Sequence, residues 1–423
     1  MVQFIKGAWP LLLGMLLLMV GNGMHGTLLG IRGEGAGFST FEMSMVMSAY
    51  FVGFLGGSRV TPEMIRRVGH VRVFAALASM ISAVLILFPT LEHPIAWILG
   101  RALMGFCFSG VYVTAESWLN NAASNETRGK ALSLYMIVQM IGIVSAQGMM
   151  TVPDATGFLL FVIPSVLVSI SFAPILLSIS PTPAFDTTKP MSLKELFNNS
   201  PLGVVGMFLL GGVFSAQFGM SAVFATRAGL NLSELSLFIA TFYIGATIFQ
   251  YPLGWLSDRM DRRVLIMIVA AIGTAGGTLG FFAGDNYPML LVAALFIGGF
   301  SNPLYSMLIA HANDFLDYED MAAASGGLVF VNGVGAIAGP MITGWAMDVM
   351  GPSGFFTYLI FLLAATGIYA GYRTTRRPAA PVEETGSYTA VMPTASVVAV
   401  EVAQEVAIET AMELEEEQEA AAG

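Results

Sequence analysis

Long apolar runs separated by short polar loops make up most of this 423-residue chain. A helix that crosses the hydrocarbon core of a bilayer, roughly 30 Å thick, needs about 20 mostly apolar residues. Twelve runs reach that length. They cover residues 8–31, 41–58, 71–90, 95–118, 130–152, 157–179, 201–226, 234–256, 264–283, 287–310, 321–347 and 354–373. The pattern therefore predicts an all-α integral membrane protein with twelve transmembrane helices.

Composition supports the membrane assignment and narrows the chemistry. The chain is 56% hydrophobic and only 11% charged, with a mean hydropathy of +0.74, whereas a soluble domain carries about 25% charged residues. The single cysteine, Cys107, excludes a disulfide framework. Four scattered histidines argue against zinc, and HExxH, GxSxG and Walker A motifs are missing from the sequence. We expect no metal, no cofactor and no enzymatic activity.

The distribution of Lys and Arg predicts the orientation. With both termini in the cytoplasm, only Arg32 and Arg227 fall in outer loops, and Arg101 lies within a span. Because short cytoplasmic loops are enriched in basic residues, this asymmetry predicts an inner (plasma) membrane protein with both termini cytoplasmic. The remaining basic residues are then all cytoplasmic: Lys6, Arg59, Arg66, Arg67, Arg72, Arg128, Lys130, Lys189, Lys194, Arg259, Arg262, Arg263, Arg373, Arg376 and Arg377.

A polar segment and a weak repeat divide the chain into two halves. When the first half is shifted by 192 residues, the loop at 66–70 falls on 258–262, Phe108-Ser109 falls on Phe300-Ser301, and Asn121 falls on Asn313. Internal repeats of this kind occur in secondary transporters. The prediction is two pseudo-symmetric six-helix bundles: residues 1–179, a cytoplasmic linker at 180–200 with a short amphipathic piece around 193–197, residues 201–373, and a tail at 374–423.

Two ionisable residues stand out in the predicted fourth span. A charge at membrane depth costs about 2.5–3.5 kcal/mol or more, so Arg101 and Glu116 are functional candidates. Arg101 could instead extend to the outer interface. Glu116 could carry a proton or could hold the cytoplasmic ends together through Arg128 or Lys130. The two charges lie about 22 Å apart along a straight helix, so each needs another partner.

One loop resembles a known family signature. Gly254-Trp-Leu-Ser-Asp258-Arg259-Met-Asp261-Arg262-Arg263 is similar to the G-x-L-x-D-R-x-G-R-R loop of the major facilitator superfamily (MFS), with Asp261 in place of the usual Gly. Arg101 followed by Gly105 resembles the fourth-span R-x-x-x-G element of that family, which is associated with proton coupling. Together with the TLLGIR and ESWLN segments, these motifs suggest a poorly characterised bacterial branch.

The resemblance implies a fold, a function and a site. In the family, spans one, four, seven and ten line a central cavity. The G-x-L-x-D-R-x-G-R-R loop forms a cytoplasmic gate. The implied function is a monomeric secondary transporter that moves a small solute by alternating access with a coupled proton, and no nucleic-acid partner is expected. The alternative is a membrane receptor or scaffold that uses the transporter fold without transport. The resemblance implies Asn22, His25, Arg101, Tyr112, Gln217, Asn302 and Tyr305 in the cavity and Asp258, Arg259, Arg262 and Arg263 in the gate. From the residues themselves we expect Glu116 or His25 to carry the coupling proton and Arg101 to attract an anionic substrate group or to tune a proton site; the alternative for His25 is a packing residue.

The net charge of −10 belongs to the tail rather than to the body. After Arg377 there is no Lys or Arg, but there are ten Glu, so residues 1–377 are neutral. Glutamates at 401, 405, 409 and 413 recur every four residues, a spacing that destabilises an isolated helix, and the composition favours disorder. We expect a solvated, disordered tail; docking onto basic cytoplasmic loops or onto a partner protein is the alternative.

Overall fold

Helices form all the regular structure that the computed structural model describes. It describes residues 2–151, 157–177, 191–378, 381 and 385–422, and it describes the side chains of these residues except 2–7, 125–126, 318–319 and 411–422. The first half contains α1 (Val2–Gly35), α2 (Thr40–Val68), α3 (His70–Leu87), α4 (Pro94–Ala122), α5 (Asn125–Met150), α6 (Leu159–Ser171) and α7 (Ala173–Leu176). The second half contains α9 (Pro201–Ser215), α10 (Ser221–Arg227), α11 (Leu232–Ser257), α12 (Arg262–Phe282), α13 (Tyr287–Asn313), α14 (Tyr318–Met350) and α15 (Gly354–Thr374).

Three further features complete the described part of the chain. A π-helical turn (Ala216–Met220) joins α9 to α10, so these two helices form a single span. Helix α8 (Leu193–Asn199) lies where the sequence predicts an amphipathic piece of the linker, and its Leu196 side chain is buried. The rest of the predicted linker, residues 180–190, lies outside the described residues. Helix α16 (Val397–Ala422) belongs to the tail.

The prediction of an all-α membrane protein with two six-helix bundles is confirmed. Within the described residues, eleven helices are long and apolar enough to cross a bilayer. The predicted span at 41–58 forms the twelfth long helix, α2, with 29 residues. Its polar and small side chains lower its hydropathy, and many of them, such as Ser44, Ser48 and Thr61, are buried inside the bundle rather than facing lipid.

The 192-residue repeat extends well beyond the three places at which the sequence shows it. Ser39 and Glu42 form a capping box at the start of α2, and Asn231 and Glu234 form the same box at the start of α11. Each box satisfies backbone N–H groups that a helix start leaves unpaired. Because 39 and 42 map onto 231 and 234, one offset reproduces the local signal that begins the same helix in both halves.

The repeat also reproduces a close helix crossing. Gly53 of α2 lies against the backbone of α4 at Ala102, where an added Cβ would overlap a carbonyl oxygen. Gly245, at the equivalent position of α11, meets the backbone of α13 at Leu295 in the same way. Helices in membranes approach most closely through small residues, because packing replaces the hydrophobic effect as the driving force. Each half therefore contains a tight crossing of equivalent helices.

The two halves contact each other directly on one side of the bundle. We call the side with the α2–α3, α4–α5, α11–α12 and α13–α14 connections the basic face, and the other side the opposite face. Near the opposite face, Arg227 donates to the Thr40 hydroxyl at 2.6 Å and pairs with Asp348 at 3.1 Å. Deeper in the bundle, the Ser48 hydroxyl of α2 donates to the Ile337 carbonyl of α14 at 2.9 Å. The opposite face is therefore closed by contacts between the halves.

The tail differs from the solvated, disordered segment that its composition favours. Residues 385–410, which we call the tail segment, enter the bundle from the basic face. Val391, Met392, Val400 and Ala403 are each less than 4% exposed. The average composition is misleading because the glutamates are concentrated toward the end of the chain. Residues 386–400 contain no charged side chain and supply an apolar surface.

Candidate functional site

Arg101 lies at the centre of a buried cluster in the first half. Its Nη1 lies 3.3 Å from His25 Nδ1 of α1, and its Nη2 lies 3.7 Å from the Met47 sulfur of α2. The guanidinium carbon lies 4.5 Å from the centre of the Tyr50 ring, a cation–π geometry. The Asn22 amide lies beside the Tyr50 hydroxyl. Three helices therefore converge on one cation, and we call these five residues the Arg101 cluster.

The Arg101 cluster holds a positive charge that has no carboxylate partner among the described residues. Arg101 is 4% exposed, so it does not extend to the lipid interface as one sequence interpretation allows. Its described hydrogen-bond partners are a histidine ring nitrogen and a thioether, and its Nε has no partner in the described part of the chain. The Nε2 atom of His25 is likewise unpaired there. Buried charges are normally paired. The geometry of the Arg101 cluster is therefore suited to binding an anionic group.

Aromatic side chains cover the Arg101 cluster toward the opposite face. The His25 ring lies 4.7 Å from Phe88, which in turn lies 5.7 Å from Trp97. Phe38, in the α1–α2 connection, packs edge-on against Trp97 at 4.8 Å. The Trp97 indole N–H donates to the Phe88 carbonyl at 3.0 Å, which fixes this layer. In the present conformation these rings separate Arg101 from the opposite face.

Glu116 occupies the other end of the same helix and contacts the tail segment. Its carboxylate accepts from the Tyr135 hydroxyl of α5 at 3.3 Å and from the backbone N–H of Ser396 at 2.9 Å. It is 3% exposed. The sequence analysis offers Arg128 or Lys130 as the partner of Glu116 if this carboxylate holds the cytoplasmic ends together. Neither forms a described ion pair with Glu116. Arg128 pairs instead with Glu405 of the tail segment at 2.5 Å.

The other predicted cavity residues are distributed over both halves. Gln217, in the π-helical turn, donates to the Ser301 hydroxyl of α13 at 2.8 Å. Asn302 donates to the Gly298 carbonyl of its own helix at 3.0 Å. Tyr112 donates to the Met19 sulfur at 3.3 Å, and the Tyr305 hydroxyl has no partner among the described residues. These four side chains are buried, and none of them contacts the Arg101 cluster through a described hydrogen bond.

The predicted gate residues make their contacts within the second half and with the tail segment. Arg262 forms an ion pair with Asp314 in which both side chains are almost fully buried, and a longer one of 3.4 Å with Asp258. It also donates to the Gly386 carbonyl. Asp258 accepts from the backbone N–H of Tyr388 at 2.7 Å. In this conformation the loop therefore holds the tail segment instead of joining the two halves directly.

The remaining gate residues have local roles. Arg259 is exposed and lies 4.2 Å from the Trp255 ring. Arg263 pairs with Asp261 at 2.8 Å and donates to the Arg377 carbonyl at 2.6 Å. Asp261 accepts from the Arg263 backbone N–H and so caps α12. Although burial acts to raise the pKa of Asp261, the hydrogen bonds and charge of Arg263 lower it below the usual value. Asp261, the residue that stands where the family signature has Gly, is therefore the N-cap of α12.

Several contacts of the candidate site could not be predicted from the sequence. Tyr50 and Met47 of α2 complete the Arg101 cluster, and Tyr135 is the hydroxyl partner of Glu116. An aromatic or methionine residue in an apolar span is indistinguishable from ordinary packing. Only the convergence of separate helices on Arg101 and Glu116 reveals these residues.

Comparison with known proteins decides the family. The family model described as "Major Facilitator Superfamily" matches residues 11–240 and 228–401. The chain belongs to this superfamily. It is a multi-pass membrane protein of a transporter family and not an enzyme, as the sequence predicts. Transporters of the superfamily bind small molecules and usually act as monomers.

Relatives and solved structures agree with this assignment. The chain is 24% identical over 369 residues to an "Uncharacterized MFS-type transporter YcaD" of Salmonella arizonae, which covers 84% of this chain and 95% of that protein. The same-named protein of Salmonella heidelberg is 24% identical over 379 residues, covering 87% and 98%. The nucleoside transporter NupG superposes with a TM-score of 0.69 at 15% identity, covering 86% and 97%. An inward-facing, unoccupied bacterial homolog of the human lysosomal transporter Spinster gives 0.66 at 15%, covering 94% and 97%. These structural likenesses establish the fold alone.

Proposed function

We propose that this MFS protein is a proton-coupled secondary transporter of a small solute that carries an anionic group, such as a carboxylate or a phosphate. The observation that carries the proposal is the Arg101 cluster, in which a nearly fully buried guanidinium has no carboxylate partner among the described residues. A bound anion would supply the missing charge. Arginine is also the side chain best suited to planar, bidentate recognition of carboxylates and phosphates.

The contact between Arg101 and His25 supports coupling between the solute and a proton. Protonation of His25 next to the Arg101 guanidinium would bring two positive charges within 3.3 Å, which Coulomb repulsion in a poorly polarisable interior disfavours. An anion bound at Arg101 offsets that repulsion, so His25 can take up a proton when the anion is present. Binding of the two ligands is then mutually favourable, as linkage requires. Glu116 is a second candidate carrier, nearer the basic face.

The orientation belongs to the same proposal. The basic face carries the loops that contain Arg66, Arg128 and Arg262, so the positive-inside rule assigns it to the cytoplasm of a bacterial inner membrane. The opposite face, closed by Arg227 with Thr40 and Asp348, is then outside. The solute path from the cytoplasm would pass Glu116 and Tyr112 before it reaches Arg101.

A ligand screen followed by a flux measurement tests the proposal. The purified protein is incubated with small carboxylates, phosphate esters, and neutral and cationic analogues, and its apparent melting temperature is recorded, because a ligand that binds the folded state stabilises it. Anionic compounds are expected to stabilise the protein and Arg101→Ala to abolish the effect. Arg67→Ala, which changes an exposed arginine, is the matched control.

Flux of a stabilising anion into proteoliposomes is then measured with and without an imposed pH gradient. The gradient is expected to drive uptake in the wild type. Uptake in Arg101→Ala should fall by at least about 30-fold, since truncating one side of a buried charge pair costs about 2–5 kcal/mol. Unchanged gradient-driven uptake in both Arg101→Ala and Glu116→Gln would refute the assigned roles. Saturable binding without flux would favour the receptor alternative.

A further inference from the structure

We infer that the tail segment is an autoinhibitory element that occupies the basic-face opening between the two halves and holds the transporter in one conformation. The segment contacts both halves, and it lies where helices of the two halves must approach one another if the basic face is to close. The contacts of residues 385–410 and the two-bundle fold support this inference whatever the identity of the solute.

The contacts with the second half are specific polar ones. The Ser306 hydroxyl of α13 donates to the Val391 carbonyl at 3.1 Å and accepts from the Val391 N–H at 2.9 Å. Gln404 donates to the Asn313 side chain at 3.0 Å and accepts from the Ser325 hydroxyl of α14. A side chain that satisfies both backbone groups of one tail residue fixes the register of the tail segment on α13.

The contacts with the first half involve charged groups. Glu116 of α4 accepts from the Ser396 N–H at 2.9 Å. Arg128, at the start of α5, pairs with Glu405 at 2.5 Å and lies 3.7 Å from Glu409. Hydrogen bonds and ion pairs with charged groups are about twice as strong as neutral ones. The tail segment therefore joins α4 and α5 of one half to α13 and α14 of the other.

Apolar burial adds to these polar contacts. Val391 and Met392 are each 2% exposed, Val400 is 0% exposed, and Ala399 is 1% exposed. These side chains pack into the same core as the transmembrane helices. The burial is as complete as in the interior of the bundle, so the tail segment is an integral layer of this conformation.

While the tail segment is docked, this position blocks both access and alternation, so transport by the wild type requires transient release of the tail segment. The opposite face is already closed by direct contacts between the halves, so the basic face is the side from which a solute would enter. Residues 391–396 lie over Ser306 and Glu116 on that route. In alternating access the halves rock against each other, and α16 lies between the basic-face ends that would have to meet. Release of the tail segment is therefore required before the basic face can close.

Labelling under the tail segment tests docking in the full-length protein in lipid nanodiscs. In a Cys107→Ala background, Ala131→Cys is reacted with a membrane-impermeant maleimide; Ala131 is a buried residue of α5 that lies beside Ala399 and Val402 of the tail segment. Labelling should be slow with the intact tail segment and about tenfold faster or more when Val400→Asp shifts the population to the released state. Ile408→Asp makes the same change on a half-buried side chain that does not pack against the core, and its labelling should stay slow. Equal rates in all three proteins would overturn the inference.

Distances between the halves test the inhibition itself. Spin labels on Ala122→Cys and Asp320→Cys report the separation of the two halves at the basic face. The wild type should give one long distance, and Val400→Asp should add a population of shorter distances as the basic face closes. A protein truncated after Arg377 serves as a second test of release. An unchanged single distance in both released proteins would overturn autoinhibition. Neither measurement uses an anion or a proton gradient, so failure here is distinguishable from failure of the proposed transport.

Discussion

The two halves of this protein share one scaffold but place their buried charges at different depths. With the 192-residue offset, the capping boxes and the glycine crossings coincide. In the first half the buried cation of the span is Arg101, which has no carboxylate partner among the described residues. In the second half the equivalent region of α13 contains Ala293 and Ala294, and the buried cations are Arg262 and Arg263, at the basic face and paired with Asp314 and Asp261. The two halves therefore share capping boxes and helix crossings but differ in their buried charges.

The same contrast holds at neighbouring positions. His25 of the first half corresponds to Gln217 of the second, which makes a neutral hydrogen bond to Ser301. His70 corresponds to Arg262 and contacts the Ser117 hydroxyl at 2.9 Å. On the proposed solute path lie His25 and Glu116 of the first half, whereas Asp258 and Arg262 of the second half lie at the basic face and hold the tail segment. Glu116 belongs to both places, because it also contacts the tail segment.

The largest effect is expected from breaking the ion pair of the second half. Asp314→Ala leaves Arg262 nearly fully buried without its main carboxylate, and loss of one partner of a buried pair costs about 3–5 kcal/mol. At the equivalent contact of the first half, Ser117→Ala removes one neutral hydrogen bond and should cost about 1 kcal/mol. Chemical unfolding in detergent compares the two variants, with Asp314→Asn as the control that keeps a hydrogen-bond acceptor. Equal losses of unfolding free energy in Asp314→Ala and Ser117→Ala would contradict the difference between the halves.

A smaller and symmetric effect is expected at the glycine crossings. Gly53→Ala and Gly245→Ala each push a methyl group against the backbone of the facing helix, and overpacking of this kind costs about 1–3 kcal/mol. Gly148→Ala, where an added Cβ meets nothing within 4 Å, should be neutral or slightly stabilising. Thermal unfolding measures all three. A large difference between Gly53→Ala and Gly245→Ala would show that the halves do not share the crossing.

Docking of the tail segment should depend moderately on pH through Glu401. Burial, together with the nearby Glu405 carboxylate, raises the pKa of Glu401 from 4.5 to about 7. Because the docked pKa is raised, this carboxyl favours docking fully below pH 4.5 and loses that contribution as the pH rises through about 7.

The distance between the basic-face spin labels should therefore show more released protein at pH 8 than at pH 5, and Glu401→Gln should weaken this dependence. Glu116, Arg128 and Glu405 also lie at this contact, so the comparison of Glu401→Gln with the parent protein isolates one group. An identical pH profile in the two proteins would exclude Glu401 as the titrating group.

The smallest effect is expected at the exposed end of the first half. Glu63 pairs with Arg66 at 2.9 Å and with Arg67 at 2.7 Å, and all three side chains are exposed. Exposed pairs contribute little because water and salt screen them. Glu63→Gln should leave the melting temperature unchanged within error at high and low salt. A clear fall in the melting temperature of Glu63→Gln would show that Glu63 forms an ion pair as strong as that of Arg262 with Asp314.

The sequence by itself determined the twelve spans, the duplication, the asymmetric distribution of Lys and Arg, and the identity of the few ionisable residues at membrane depth. These properties are local, because a bilayer requires each span to be long and apolar regardless of its neighbours. The superfamily signature at 254–263 is equally local. Arg101, His25 and Glu116 could be named as candidates because ionisable groups in a span are rare.

Only the tertiary structure decided which groups meet. Arg101 contacts a residue 76 positions away, and Glu116 contacts one 280 positions away. Such pairings depend on how helices pack, and neither composition nor periodicity encodes them. The docking of the tail segment has the same explanation. The mean composition of residues 374–423 is dominated by the terminal glutamates, and it hides the apolar stretch at 386–400. Burial of that stretch is favourable only in a cavity that the two bundles create together.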